Sequence, residues 1–248
     1  MTQIKSAIKR FMEAHQYTQF DPRAALIDMD GVLYDSMPLH ASAWYDMVTT
    51  HGIKATRDEF FGYEGMTGAA TINLLFEREY GRNATADEVA ALYKEKTENF
   101  HAQGEAPLMK DADKMLGIFT REGMERVLVT GSGQTSLIER ISHDYPGAFK
   151  PDNFITSRSV AHGKPDPEPY LKAMKLVDVK PWQSIVVENA PCGVRAGARA
   201  GAFTVGVATG PIPLDDLMAA GAAIAFDSMG AFVKALPALI ADLRAYNS

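Results

Sequence analysis

Two carboxylates placed two residues apart, Asp28 and Asp30, sit at the end of a short apolar run. If that segment stays extended, both side chains share one face, so one can attack an electrophilic phosphorus while the other moves protons. Further along, Thr130-Gly131-Ser132-Gly133 offers a hydroxyl and backbone N–H groups able to hold phosphoryl oxygens. Lys164, in the loop HGKPDPEPY, can offset transition-state charge, and Glu188-Asn189 is an acid–amide pair. Hard oxygen donors of this kind suit Mg²⁺, which keeps several waters and takes only one or two carboxylates from protein. Each piece alone is weak, because a lone DxD or Gly-Ser-Gly is usually a turn and a lysine before proline is usually solvated. Their joint occurrence, in order along the chain and mostly at the ends of apolar runs, makes them equipment for handling a phosphoryl group with a divalent cation.

Such residues need a scaffold that delivers them to one edge. Four apolar runs end among polar or glycine-rich residues: Ala24 to Asp28, Arg126 to Gly133, Ser184 to Asn189 and Phe203 to Gly210, with a fifth, AAIAFDS, after Gly221. Runs without polar alternation suit parallel strands covered on both faces. Helical segments lie between them, as from Ala190 to Arg199, where Pro191 fits the first turn and Gly201 the C-terminal cap. The pattern predicts an α/β fold with a Rossmann-like, doubly wound parallel sheet, in which ligands bind at the C-terminal ends of strands. The first strand would deliver Asp28 and Asp30, the second the Thr130 loop and the third Glu188-Asn189.

About a hundred residues separate the first strand from the second, far more than a crossover needs. Ser36 with Pro38 can start a helix carrying Leu39, Ala43, Trp44, Met47 and Val48, and Ala69 to Tyr80 forms another, stopped by Gly81. Thr85 and Glu88 make a capping box ahead of a helix with Val89, Leu92 and Tyr93 on one face. The sequence thus predicts a small α-helical cap at 39–104 on a core of 1–38 and 105–248, with hinges after Ser36 and around Gly104 to Pro107.

The segments IDMDGVLYDS, LVTGSG, HGKPDPEPY and VVENAPCGVRAGARAGAF resemble, in order, the four motifs of the haloacid dehalogenase superfamily, and the helical insertion resembles its C1-type cap. The likeness covers nearly the whole chain beyond residue 20. Within the superfamily the chain is similar to the β-phosphoglucomutase-like branch, most of all to its inorganic pyrophosphatase members, whose cap carries a segment like Glu64 to Asn73 here. The resemblance implies that Asp28 is the nucleophile forming an aspartyl-phosphate and Asp30 the general acid and base, with its carbonyl on Mg²⁺. Thr130, Gly131 and Ser132 would bind phosphate, and Lys164 would steady nucleophile and phosphate. The metal set would be Asp28, Asp30, Glu188 and Asn189; the last is normally an aspartate, and its amide brings no charge.

Glu64 is a candidate to make up that charge. A carboxylate facing bound phosphate from the cap repels it unless a cation lies between, which fits pyrophosphate bound as its Mg²⁺ complex better than a neutral sugar ring. Lys96, in YKEKTENF, aligns with a cap lysine used on phosphate, and His40 can orient Asp30 or the hinge. Plainer readings stand beside these three: a solvent-facing glutamate, an exposed helical lysine and a packed histidine. β-Phosphoglucomutase grips a distal phosphate with a cap arginine where this chain has Gly68, which argues against mutase turnover, and Asp30 argues against dehalogenation. The alternatives are a hexose-phosphate phosphatase, then a β-phosphoglucomutase-type sugar-phosphate mutase, and, from another class, a catalytically silent phosphate-binding or regulatory protein.

The 248 residues carry 25 Lys plus Arg against 31 Asp plus Glu, a net charge of -6. That balance gives no basic surface for nucleic acid or anionic lipid. With 46% apolar and 23% charged residues the composition is that of a globular chain. The single cysteine, Cys192, excludes an intrachain disulfide and is expected to pack. No signal-like apolar region or span of roughly 18 apolar residues occurs. We expect a cytoplasmic monomer acting on a small phosphorylated substrate or pyrophosphate, without nucleic acid or membrane, and an amphipathic helix within residues 1 to 20 packing Ile4, Ile8, Phe11 and Met12 on the core.

Overall fold

The computed structural model describes residues 3–132 and 135–246, and no side chains for 135–138; Gly133 of the second motif lies outside the described residues. Six parallel strands form one sheet: β1 (Ala24–Ile27), β2 (Glu125–Val129), β3 (Phe154–Ile155), β4 (Ser184–Glu188), β5 (Phe203–Val207) and β6 (Ile224–Phe226), in the order β3-β2-β1-β4-β5-β6. Every residue of β1, β4 and β5 is buried. Helices on both faces leave no solvated side, so the strands read as unbroken apolar runs rather than alternating ones. β3 is a two-residue edge strand, paired only through Leu128 with Phe154 and Val129 with Ile155. It has no apolar run of its own, so the sequence pattern passes over it, and Glu188-Asn189 follows the fourth strand rather than the third.

The sheet's N-terminal helix, α1 (Gln3–His15), buries Ala7, Ile8, Phe11 and Met12, with Ile4 only partly covered. The long crossover from β1 to β2 holds α2 (Met37–Thr50), α3 (Glu59–Gly62), α4 (Gly68–Tyr80), α5 (Ala86–Ala102) and α6 (Ala112–Arg121). The first four gather around Trp44, Met47, Val48, Phe60, Ile72, Leu75, Phe76 and Leu92, a separate apolar cluster that makes the helical cap. Its joints follow local chemistry. Gly81 closes α4 at φ 66°, in the left-handed region that glycine enters without strain. Thr85 accepts from the Glu88 N–H while the Glu88 carboxylate accepts from the Thr85 N–H, the reciprocal capping box legible in the sequence. Ser36 sits at the N-cap of α2 but makes no capping bond, since its hydroxyl is used elsewhere.

The two connections between cap and sheet run side by side: Asp35 N–H donates to Pro107 O at 2.9 Å and Met109 N–H to Leu33 O at 2.8 Å. After β2 come α7 (Thr135–Asp144), α8 (Glu168–Leu176), α9 (Pro191–Arg199), α10 (Leu214–Ala219) and α11 (Met229–Arg244). Replacing Thr85 by Ala removes one half of the capping box and should lower stability in urea unfolding by about 1 kcal/mol, with no change in the sheet's signal.

Candidate active site

The chain leaves β1 still tied to the sheet, with the Asp28 N–H donating to Val187 O of β4 at 3.1 Å. It then turns tightly, Leu33 N–H returning to Met29 O at 2.8 Å, so the segment does not stay extended. Gly31 takes φ 76°, and a Cβ there would run into the Asn189 amide. The turn separates the two carboxylates into different environments.

Asp30 Oδ1 accepts from Ser36 Oγ at 2.6 Å and from His40 Nε2 at 3.0 Å. His40 stacks on Phe100 with centroids 4.2 Å apart, and its Nδ1 lies 2.7 Å from Lys96 Nζ. The Lys96 ammonium can only donate, so His40 accepts at Nδ1 and donates from Nε2 to Asp30: the network selects the neutral tautomer. Burial and Lys96 both push the His40 pKa down, which agrees. Burial alone would raise the Asp30 carboxyl, but the electrostatic pull and hydrogen bond of His40, the Ser36 bond and the Lys96 charge together outweigh it and hold the group below its usual range.

Asp28 belongs to a second network centred on Lys164. Its Oδ1 is 2.5 Å from Lys164 Nζ, which also lies 2.6 Å from Glu188 Oε1 and donates to Val129 O at 3.0 Å. Tyr170 donates its hydroxyl to the same Glu188 oxygen at 2.6 Å and places its ring under the ammonium, 5.3 Å from the centroid. All four side chains are buried. Burial and the Glu188 charge push the Asp28 carboxyl up to about 8, against the pull of Lys164. Lys164 goes well above its ordinary value, because its two carboxylate partners outweigh burial. Glu188 is taken up by Lys164, Tyr170 and the Asn189 N–H, and the body of α9 approaches it so closely at Gly193 that no Cβ fits.

From the cap, the loop after α3 brings Glu64, Gly65 and Met66 over these groups. The pocket between has about 50 Å³ of free space, lined by Asp28, Asp30, His40, Glu64, Lys96, Gly131 and Ser132, with Trp44, Tyr63 and Tyr93 as walls. That holds a few waters' worth of ligand, well under the roughly 300 to 1,000 Å³ of sites for drug-sized molecules. Glu64, half-buried, therefore faces the carboxylates, and burial together with Asp30 raises its pKa well above the usual value. Lys96 is buried, not exposed, and burial brings it down to about 8.

Thr130 lies behind this pocket. Its Oγ1 accepts the Ser132 N–H at 3.0 Å, so that N–H is turned inward rather than to a phosphoryl group. A Cβ on Gly68 would fall inside the Tyr93 ring, so that ring fills the space a side chain at position 68 would need. Sequence reasoning missed Tyr170, although it closes the third motif, because a terminal tyrosine gives no sign of pointing back to β4. It also missed Ser36, whose N-cap position disguised its bond to Asp30.

Four carboxylates, Asp28, Asp30, Glu64 and Glu188, meet two lysines, Lys96 and Lys164, so the cluster is two positive charges short before any phosphate arrives. The buried Asn189 amide has no hydrogen-bond partner on either Nδ2 or Oδ1 among the described residues. Oxygens of Asp30 and Glu64 and a His40 nitrogen lie within 4.8 Å of one another. Missing charge, an orphaned amide oxygen and converging oxygen donors fit a hard divalent cation.

The family model of haloacid dehalogenase-like hydrolases matches residues 22–201. The chain belongs to this family. Among curated relatives, hexitol phosphatase A of Escherichia coli is 29% identical over 73% of this chain and 81% of its own length. Putative pyrophosphatase PpaX of Clostridium perfringens is 29% identical over 79% and 88%. A solved putative β-phosphoglucomutase from Bacteroides vulgatus is 42% identical, covers 97% of this chain and 98% of its own, and superposes with a TM-score of 0.93. The protein is thus an enzyme of the β-phosphoglucomutase-like group, with phosphatase chemistry. No helix among the described residues is long and apolar enough to cross a membrane.

Two outcomes check this electrostatic picture. Folding holds a proton on Asp28 up to about pH 8 that the unfolded chain gives up near 4, so the native state binds more protons between them and stability falls as pH rises. Metal-stripped protein should therefore melt at progressively lower temperature from about pH 5 to about pH 8, with Mg²⁺ restoring most at the upper end; a flat profile unaffected by Mg²⁺ contradicts it. Tyr170→Phe should cost about 1 to 3 kcal/mol in urea unfolding by leaving a buried Glu188 oxygen one donor short.

Proposed function

We propose that this hydrolase cleaves inorganic pyrophosphate, or a phosphate ester of similar size, by transferring a phosphoryl group to Asp28 and then to water. The observation that carries the reading is Glu64, a cap carboxylate facing Asp28 and Asp30 across a pocket of about 50 Å³. A carboxylate there opposes an anionic ligand unless cations accompany it, and the small pocket favours a ligand whose leaving group is itself a phosphate.

Asp28, with one oxygen held by Lys164 and its proton given up to solvent once a cation shares the site, presents the other oxygen to phosphorus; the new O–P bond forms as the bond to the leaving oxygen breaks. The leaving phosphate of pyrophosphate departs as an anion, and Asp30, held ionised, then takes a proton from the water that attacks phosphorus and breaks its bond to Asp28. Gly131 and Ser132 cradle the transferred phosphoryl group, with Thr130 holding the loop's shape, and Lys96 and Lys164 offset its charge. His40 and Ser36 fix Asp30. Asp28, Asp30, Asn189 and Glu64 would hold Mg²⁺, which when bound neutralises phosphate and carboxylate charge. Glu188, with its carboxylate committed to Lys164 and Tyr170, is assigned to placing Lys164 in preference to ligating metal.

The second reading, a hexose-phosphate phosphatase or mutase, draws support from relatives named for hexitol phosphate and β-phosphoglucomutase. Against mutase turnover stands the Tyr93 ring over Gly68, where a mutase keeps an arginine.

Phosphate release with Mg²⁺ should give pyrophosphate the highest specificity constant in a panel that includes β-glucose 1-phosphate; a lead for a hexose phosphate selects the second reading. Asp28→Asn should lower turnover by roughly three orders of magnitude or more while the protein stays folded by circular dichroism. Glu64→Ala should reduce pyrophosphate hydrolysis more than sugar-phosphate hydrolysis, and equal losses would remove Glu64 from substrate choice.

A further inference from the structure

Two core glycines, Gly131 and Gly163, lie under the cap loop that carries Glu64, and a third glycine, Gly65, lies on that loop. A Cβ on Gly131 would stand 2.9 Å from the carbonyl oxygens of both Gly65 and Met66, and one on Gly65 would stand 3.2 Å from Lys164 Cδ and 3.7 Å from the Gly193 nitrogen. One on Gly163 would come 2.5 Å from Thr67 Cγ2 and 3.4 Å from the Thr67 nitrogen. The backbone of residues 65 and 66 thus approaches Gly131 directly, and the Thr67 methyl lies over Gly163.

Gly163 differs from an ordinary turn glycine. It is not among the positive-φ residues, so alanine suits its backbone, and the three atoms nearest to an added Cβ all belong to Thr67 of the cap. What requires glycine there is the approach of the cap alone. Neither side can yield easily. On the core side, the Ala161 and His162 N–H groups donate to the Glu168 carboxylate at 3.0 and 2.7 Å, and Gly163 O accepts from Asp166 N–H at 3.0 Å. On the cap side, Thr67 is the N-cap of α4 and its Oγ1 accepts from Ala70 N–H, so turning the methyl away would surrender the cap.

We propose that Gly163 and the Thr67 methyl form the stop that sets how far the cap descends, making Gly163 a positioning residue that fixes the height of Glu64 and hence the substrate size the pocket accepts. Glu64 is three residues from Thr67 on the same loop, so a stop raised by one methyl group lifts the carboxylate and enlarges the pocket. The inference rests on the reading of Glu64 given above, but its test is separable from the identity of the substrate.

The experiment compares Gly163→Ala, Thr67→Ser and the double variant with the unaltered enzyme, using pyrophosphate and a hexose phosphate under saturating Mg²⁺. Gly163→Ala should lower kcat/KM for pyrophosphate roughly tenfold to a hundredfold and reduce the ratio of pyrophosphate to hexose-phosphate hydrolysis. Thr67→Ser keeps the capping oxygen and deletes the methyl, so alone it should stay within about threefold of the parent, and in the double variant it should recover most of the lost rate and the original ratio. Rescue by a methyl deletion on the opposite domain is what damage around Lys164 would not produce. A double variant as impaired as Gly163→Ala, or a Gly163→Ala enzyme with parental rate and ratio, overturns the stop. A parent that prefers hexose phosphate overturns the pyrophosphate reading, while rescue, measured on whichever substrate is hydrolysed faster, still decides the stop.

Discussion

Everything at this sheet edge depends on one buried ammonium. Lys164 reaches Asp28 just beyond β1 and Glu188 on β4 at once and donates to a carbonyl of β2, so a side chain from a loop ties together the ends of three neighbouring strands. A buried ion of this kind is tolerated only when each partner is satisfied, and breaking such a pair by removing one member typically costs about 3 to 5 kcal/mol. Tyr170 completes the set, giving Glu188 a second donor and Lys164 an apolar floor. Asp28 is left with one oxygen fixed and faces the pocket, the condition a nucleophile needs.

The same network leaves an electrostatic debt. With Glu64 brought down from the cap, carboxylates outnumber lysines by four to two, and the protein answers by holding protons on Asp28 and Glu64 that free side chains would release. A divalent cation would relieve both, and the unpaired Asn189 amide lies against Gly31, beside the turn that carries the two aspartates. On the proposed reading, the asparagine in the fourth motif and the glutamate in the cap belong together: charge that Asn189 does not bring is present across the pocket in Glu64.

Much of this was legible in the residues. Unbroken apolar runs marked five of six strands because burial on both faces removes the alternation that solvent imposes, and the polar residues after them fell on one edge because parallel strands share a direction. Capping chemistry is local, so Thr85 with Glu88 and the stop at Gly81 could be recognised directly. The two-residue β3 could not, since its identity lies in its pairing with β2.

By itself the sequence determined the fold class and the helical insertion, because these depend on periodicity, capping and motif order. Only the tertiary structure decided which partners those residues take. It sent the Ser36 hydroxyl to Asp30 in place of its own helix, tied Glu188 to Lys164 and Tyr170, buried Lys96 against His40, and set the Tyr93 ring on Gly68. Each of those contacts joins segments whose meeting depends on how the cap and strand ends pack, and local pattern carries no information about that meeting.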